Sequence, residues 1–137
     1  MIYVTSIKDF KKNPKKGKDG AFLITRNLVK LKSRGDSVLT MAEPLTLLAP
    51  SIELSYAKKG WVRRGIWNEE IYKKIYRPYF KIQLMQNGLA QACLKKLAEE
   101  SKYQDIALLC SCEDINLCHR AIIGEAIAEK GGLVDIK

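Results

Sequence analysis

Residues 105–120 read Asp105-Ile106-Ala107-Leu108-Leu109-Cys110-Ser111-Cys112-Glu113-Asp114-Ile115-Asn116-Leu117-Cys118-His119-Arg120. The unbroken apolar run before Cys110 is of the kind found in parallel strands covered on both faces. After the short loop from Ser111 to Leu117, the sequence predicts a helix from about Cys118 to Lys130. Ile122, Ile123, Ala126 and Ile127 take its core face; Arg120, Glu125 and Glu129 face away. Gly131-Gly132 ends the helix, and 133–136 reads as a last strand. Strand, helix, strand is a βαβ unit with an expected right-handed crossover.

Upstream, residues 2–7 are β-branched and aromatic and predict a strand. A lysine-rich loop follows to Gly20, with a short helical turn at 9–12. Ala21 to Thr25 is a second apolar strand, and Arg26 stands at its carboxyl end. Asn27 to Glu43 suits either a helix plus strand or a meander. Pro50-Ser51 opens a helix to about Lys59. Asn68-Glu69-Glu70 caps another, on which Ile71, Ile75 and Tyr79 form an apolar face and Pro78 imposes a stop or kink. A third helix spans 88–102, with Leu89, Ala90, Cys93, Leu94, Leu97 and Ala98 as its stripe. The expected fold is α/β, a single domain of residues 1–137 with a small, mostly parallel central sheet flanked by helices.

Composition agrees with one globular unit: 137 residues, 47% apolar and 28% charged. Lys plus Arg number 24 against 15 Asp plus Glu, a formal charge of +9, which favours anionic partners without choosing among them. Apolar stretches are too short to span a bilayer, so no membrane role is expected. The amino end lacks a basic start followed by a long apolar stretch, which predicts a cytoplasmic protein. Four cysteines, three of them between 110 and 118, are an odd disulfide framework. In a reducing compartment such a cluster means metal, reactivity or coincidence.

The junction between a buried strand's carboxyl end and a helix's amino end is where open α/β sheets bind ligands, and unpaired N–H groups there favour anions. A thiol at that position has its thiolate stabilised, and an adjacent guanidinium adds to the effect. Cys118 is therefore the candidate nucleophile or redox thiol, His119 its acid/base partner, and Arg26 and Arg120 the anion clamp. Cys110 and Tyr76 are candidate lining residues. Plainer readings stand beside these: Cys93 and Cys110 as small core hydrophobes, His119 as a packed histidine, Arg120 as a solvated first-turn residue. The spacing C-x-C-x5-C-H also supplies four donors for tetrahedral zinc. Adjacent 118 and 119 should diverge from a helix start, however, and 110 and 112 share a face only if the strand persists. The anion site is placed ahead of the metal, and neither metal nor cofactor is assigned. Phosphate-cradling glycine loops, H-E-x-x-H and G-x-S-x-G are absent from the sequence.

These residues resemble the domain of unknown function 488 family, small cytoplasmic proteins of bacteria, archaea and phages. The likeness rests on Leu108-Leu109-Cys110 and on Cys118-His119-Arg120. It extends to the opening Met1-Ile2-Tyr3-Val4-Thr5-Ser6, to Ile24-Thr25-Arg26, to Leu48-Ala49-Pro50-Ser51, and to the tyrosines at 72, 76 and 79. Many members carry an acidic residue two places after the first cysteine; this chain has Cys112 there, then Glu113, so the acidic role is shifted by one position or absent. The resemblance implies an α/β fold with both cysteine segments and the strand-end arginine on one side, and no established reaction.

The expected function is a cysteine-centred enzyme or ligand-binding site for an anionic, phosphate-bearing compound, a nucleotide or nucleic acid. The rival is a non-catalytic nucleic-acid-binding module. It would use the lysines at 8, 11, 12, 15, 16 and 18 together with Lys58, Lys59, Arg63 and Arg64 near Trp61 and Trp67. A structural zinc-binding cysteine loop is the third alternative.

Overall fold

The computed structural model describes residues 1–26, 42–112 and 114–137. Five parallel strands form one sheet in the order β3-β2-β4-β1-β5. They are β1 (Ile2–Ser6), β2 (Gly20–Leu23), β3 (Glu43–Pro44), β4 (Ile106–Cys110) and β5 (Val134–Ile136). Parallel strands need crossovers, and two can be followed among the described residues. From β1 the chain passes through α1 (Ile7–Lys12) to β2, skipping β4; from β4 it passes through α6 (His119–Glu129) to β5, skipping β1. The remaining α- and π-helices among the described residues are α2 (Ile52–Arg63), α3 (Glu69–Ile71), a π-helical turn over Tyr72–Tyr76, α4 (Arg77–Gln86) and α5 (Gly88–Glu100). Of the ambiguous stretch 27–43, residues 27–41 lie outside the described residues. No helix among the described residues is long and apolar enough to cross a membrane.

Alternation along β4 sorts the core into two. Ala107 and Leu109 meet Ile7, Phe10 and Leu23 on the α1 face. Ile106, Leu108 and Cys110 meet Leu94, Phe80, Ile122, Ile123 and Ile127 on the other. The two crossovers run in opposite directions and cover opposite faces, so they share one hand. All five residues of β4 are buried, as the continuous apolar run requires.

Three expectations change. The helix after Asn68 buries Tyr72, Tyr76, Phe80 and Leu84, while Ile75 and Tyr79 are about half exposed. Its apolar stripe therefore lies one residue later than the 71/75/79 spacing suggests. Nor does Pro78 end the helix. Pro78 has no N–H to give to the carbonyl four residues back, and the chain absorbs this with the π-helical turn just before α4. Likewise α2 runs on through Gly60 to Arg63, and Gly65 at φ +70° closes it.

At the end of α6 the chain passes close to α5. A Cβ on Gly132 would stand 2.6 Å from Ile127 Cγ2 and 3.0 Å from both Ala98 Cα and Ile127 O. Backbone atoms cannot move aside cheaply. Gly132→Ala is expected to lower stability by about 1–3 kcal/mol, seen as a lower urea midpoint with unchanged slope; an equal or higher midpoint would show that this packing is looser than described.

Candidate functional site

β2 leads outward to β3, and β4 leads the other way to β5, so a crevice opens beyond the carboxyl ends of β2 and β4. A hollow of about 330 Å³ lies there. Thr25 and Arg26 follow β2 into it, Cys110, Ser111 and Cys112 come from the end of β4, and His119 from the start of α6. The opposite wall is one face of α2, with Ser55, Lys58, Lys59, Val62 and Arg63 recurring at three- and four-residue intervals. Pro50 and Tyr76 complete the lining.

The imidazole is fixed by what it touches. His119 Nε2 lies 2.5 Å from the Ile24 carbonyl oxygen, which can only accept, so Nε2 carries the proton. Nδ1 then presents a lone pair to Cys110 Sγ and Cys118 Sγ, each 3.9 Å away. Cys118 Sγ and Cys110 Sγ are 3.3 Å apart, and the sulfurs of Cys110, Cys112 and Cys118 all lie within 4.8 Å of one another. This convergence has a backbone cause. Cys118 is the N-cap of α6, extended at φ −118°, ψ 143°, so its side chain is not splayed from that of His119 as two helical neighbours would be. The loop after β4 likewise turns back, bringing Cys112 to the cluster although the strand ends at Cys110.

Lys58 completes the arrangement. Its Nζ sits 3.4 Å from Cys112 Sγ, 5.2 Å from the Trp67 ring and 5.9 Å from the Tyr76 ring. Hydrogen bonds from the Cys110 and Cys118 thiols, with the Lys58 charge, pull the Cys112 thiol far below an ordinary cysteine. Donating to Cys112 pushes Cys110 up to about 11. Burial drives Cys118 much higher still. For His119, burial lowers the pKa, but the hydrogen bond with Cys118 and the charges of Cys118 and Cys112 outweigh it, and the net shift is upward. Cys112, the half-buried member, is the clustered sulfur that a cation, Lys58, approaches at 3.4 Å.

Of the residues singled out from sequence, Arg26, Tyr76, Cys110 and His119 line the hollow. Arg26 Nε donates to the Pro50 carbonyl. Cys118 is wholly buried behind Cys110 and His119 and is absent from the lining. Arg120 is 1% exposed rather than solvated. Its Nη1 donates to the Cys112 carbonyl and its Nε to the Lys137 main-chain oxygen at 3.1 Å, so it braces the cysteine loop against the end of β5. Cys112, Lys58, Lys59 and Arg63 were not assigned to the site from sequence. The spacing of 55, 58, 59, 62 and 63 was the available signal for the α2 face, and the C-x-C-x5-C-H spacing was the one that marked Cys112.

Among the basic residues grouped for the nucleic-acid alternative, Lys18 lies apart from those on α2. Lys18 pairs with Asp105 at 3.3 Å, before the start of β4, whereas Lys58, Lys59 and Arg63 lie at the strands' carboxyl ends. Trp61 and Trp67 are stacked on each other at 5.9 Å, and Trp67 meets Tyr72 and Tyr76 edge-on.

Bracing by Arg120 has a measurable consequence. Arg120→Met strands two main-chain acceptors and should lower stability by about 2–4 kcal/mol; Arg120→Lys should recover little, because one ammonium cannot span both oxygens. Tyr72, pushed up to about 12 by burial, donates to the Cys118 carbonyl at 2.7 Å. Tyr72→Phe should cost only about 1 kcal/mol. Urea unfolding checks the ranking, and a harmless Arg120→Met would contradict the bracing role.

No curated protein and no solved structure matches the chain. A family model does, over residues 6–131, with the description "Active DUF488-N3 subclade". That span takes in β1's end, the α2 wall, both cysteine segments and α6, and the chain accordingly belongs to the DUF488 family, in the subclade DUF488-N3a.

Proposed function

We propose that the protein is a cysteine-centred enzyme or binding site for an anionic, phosphate-bearing compound, with the hollow beyond β2 and β4 as its site. One observation carries this reading: four cationic side chains, Arg26, Lys58, Lys59 and Arg63, border a concave space whose floor is made of sulfur and imidazole. Cations around a concave, low-dielectric site focus the field on an entering anion. At about 330 Å³ the space is at the small end of ligand pockets, suited to a nucleotide or the end of a nucleic acid strand rather than to a duplex.

Division of labour follows from exposure. Arg26 and Lys59 reach solvent and would meet the phosphate first; Lys58 is held inward by Cys112 and two aromatic rings. Cys112 is the least buried of the clustered sulfurs, so its Sγ is the atom a bound ligand meets, with His119 beside it.

Calorimetry with pyrophosphate, nucleoside mono- to triphosphates and short single strands tests the reading. Binding should weaken as salt rises. Arg26→Ala and Lys59→Ala should each weaken it about tenfold, the equivalent of about 1.4 kcal/mol, while Lys95→Ala, on the exposed face of α5, should change nothing. If none of these anions binds, or if neutral nucleosides bind as tightly, the proposal fails.

A further inference from the structure

We propose that the sulfurs of Cys110, Cys112 and Cys118 and the Nδ1 of His119 hold one zinc ion. This goes beyond the anionic-ligand reading and does not rest on it: it concerns the floor of the hollow, not the cations around it.

Geometry is the first support. Zinc–sulfur bonds of about 2.3 Å and zinc–nitrogen bonds of about 2.0 Å, arranged as a tetrahedron, put neighbouring donors about 3.5–3.8 Å apart. In this site the Cys110–Cys118 edge is 3.3 Å, the edges from Nδ1 to Cys110 and Cys118 are 3.9 Å, and the three sulfurs, a group that does not take in Nδ1, fall within 4.8 Å of one another. The three measured edges straddle the tetrahedral value. Apolar packing alone gives no reason for three sulfurs to gather beside one ring nitrogen.

The tautomer is the second. A histidine that ligates through one nitrogen regularly gives its other N–H to a carbonyl or carboxylate, which fixes the ring and strengthens the donor. His119 does this with the Ile24 carbonyl. The lone pair is thereby directed at the sulfurs whether or not a ligand occupies the hollow.

The surroundings are the third. The Arg120 main-chain N–H points at Cys118 Sγ from 3.5 Å, and Lys58 Nζ at Cys112 Sγ from 3.4 Å. Three thiolates with a dication leave one net negative charge, and Lys58 offsets it. Three soft sulfurs with one imidazole select zinc over magnesium, calcium or manganese. On binding, thiols still protonated release their protons to solvent, so uptake acidifies a weakly buffered solution. The four ligands close the coordination shell, as in structural zinc sites.

The test uses the whole chain, purified without chelator and free of any added anion. Elemental analysis should find about one zinc per chain. Cobalt(II) added to the chelator-stripped protein should give the intense visible bands of a tetrahedral thiolate complex. Cys112→Ser should weaken cobalt binding by more than the roughly 10- to 100-fold that losing a supporting hydrogen bond costs, with its circular dichroism unchanged because the residue lies on a half-exposed loop. Cys93→Ser, on α5 away from the cluster, should bind normally. Should Cys112→Ser unfold, the sulfur-to-cobalt charge-transfer band of the unmodified chain still counts the thiolates bound. Zinc well below stoichiometry together with a weak octahedral cobalt spectrum overturns the proposal, as does undiminished binding in a folded Cys112→Ser. Anion binding measured on loaded and stripped protein keeps the two readings apart: the anion-binding reading can fail or stand whatever the metal result, whereas a closed zinc shell would leave Cys112 no part as a free nucleophile.

Discussion

The Ile24 carbonyl accepts from His119 Nε2, and because a carbonyl oxygen has no proton to give, the imidazole's one neutral-form proton is committed to that bond. The Ile24 position is not free to vary either: its own N–H donates to Leu109 O of β4 at 2.9 Å. Strand register therefore sets where the carbonyl points, the carbonyl sets the ring, and the ring sets where the Nδ1 lone pair goes. With the imidazole only 4% exposed, water cannot substitute for the Ile24 partner, and breaking the bond would leave a buried N–H unpaired. The whole sulfur cluster is oriented around this one contact.

The same register explains why the cluster sits where it does. Ser6 pairs with Cys110 and Leu23 with Leu109, so β1, β2 and β4 end nearly level and their loops emerge together. β4 must then start α6 within a few residues in order to cross over β1. The 3-10 turn at Ile115–Leu117 shortens the path, and Cys118 ends it in an extended conformation. An extended N-cap followed by the first helical residue is a place where consecutive side chains can converge. Arg120 then fixes the outgoing half of the loop by holding the Cys112 carbonyl.

Much of the frame was legible because its physical signals are local. The apolar run at 106–110, the Asn68 and Ser51 caps, the βαβ unit and the positive-φ Gly131 after α6 each answer to neighbours in sequence. The misreadings concern relations that sequence does not carry. Tyr72 and Tyr76 displaced Ile71 and Ile75 from the core because a π-helical turn, induced ahead of Pro78, alters the helical phase that a 3.6 period assumes. Arg120, outward by periodicity, is buried because two main-chain oxygens, one from a distant strand end, meet it there. Cys112 is lowered first by hydrogen bonds from the Cys110 and Cys118 thiols and then by Lys58, 54 residues before it, and no spacing rule links Lys58 to Cys112. The family resemblance marked the segments that meet at the sulfur cluster; that Cys118 lies deeper than Cys112 is a matter of the folded chain.

Depth is set by a continuous series of rings. Trp61 stacks on Trp67, Trp67 meets Tyr76 at 5.3 Å, Tyr76 lies over Phe80 at 6.4 Å, and Phe80 meets His119 edge-on at 5.6 Å. This wall keeps water from one side of the site, and a lower local dielectric strengthens every charge interaction at the sulfurs. Lys58 would be expensive to desolvate against such a wall if it had no partner. It has the faces of Trp67 and Tyr76 on one side and Cys112 Sγ on the other, so the ammonium stays where the field is strongest. The π-helical turn that misled the apolar periodicity is what brings Tyr72 and Tyr76 into this wall. The local irregularity and the chemistry of the hollow thus have a common origin: a proline without an N–H, and a helix that rephased around it and carried its aromatic stripe toward the cysteines.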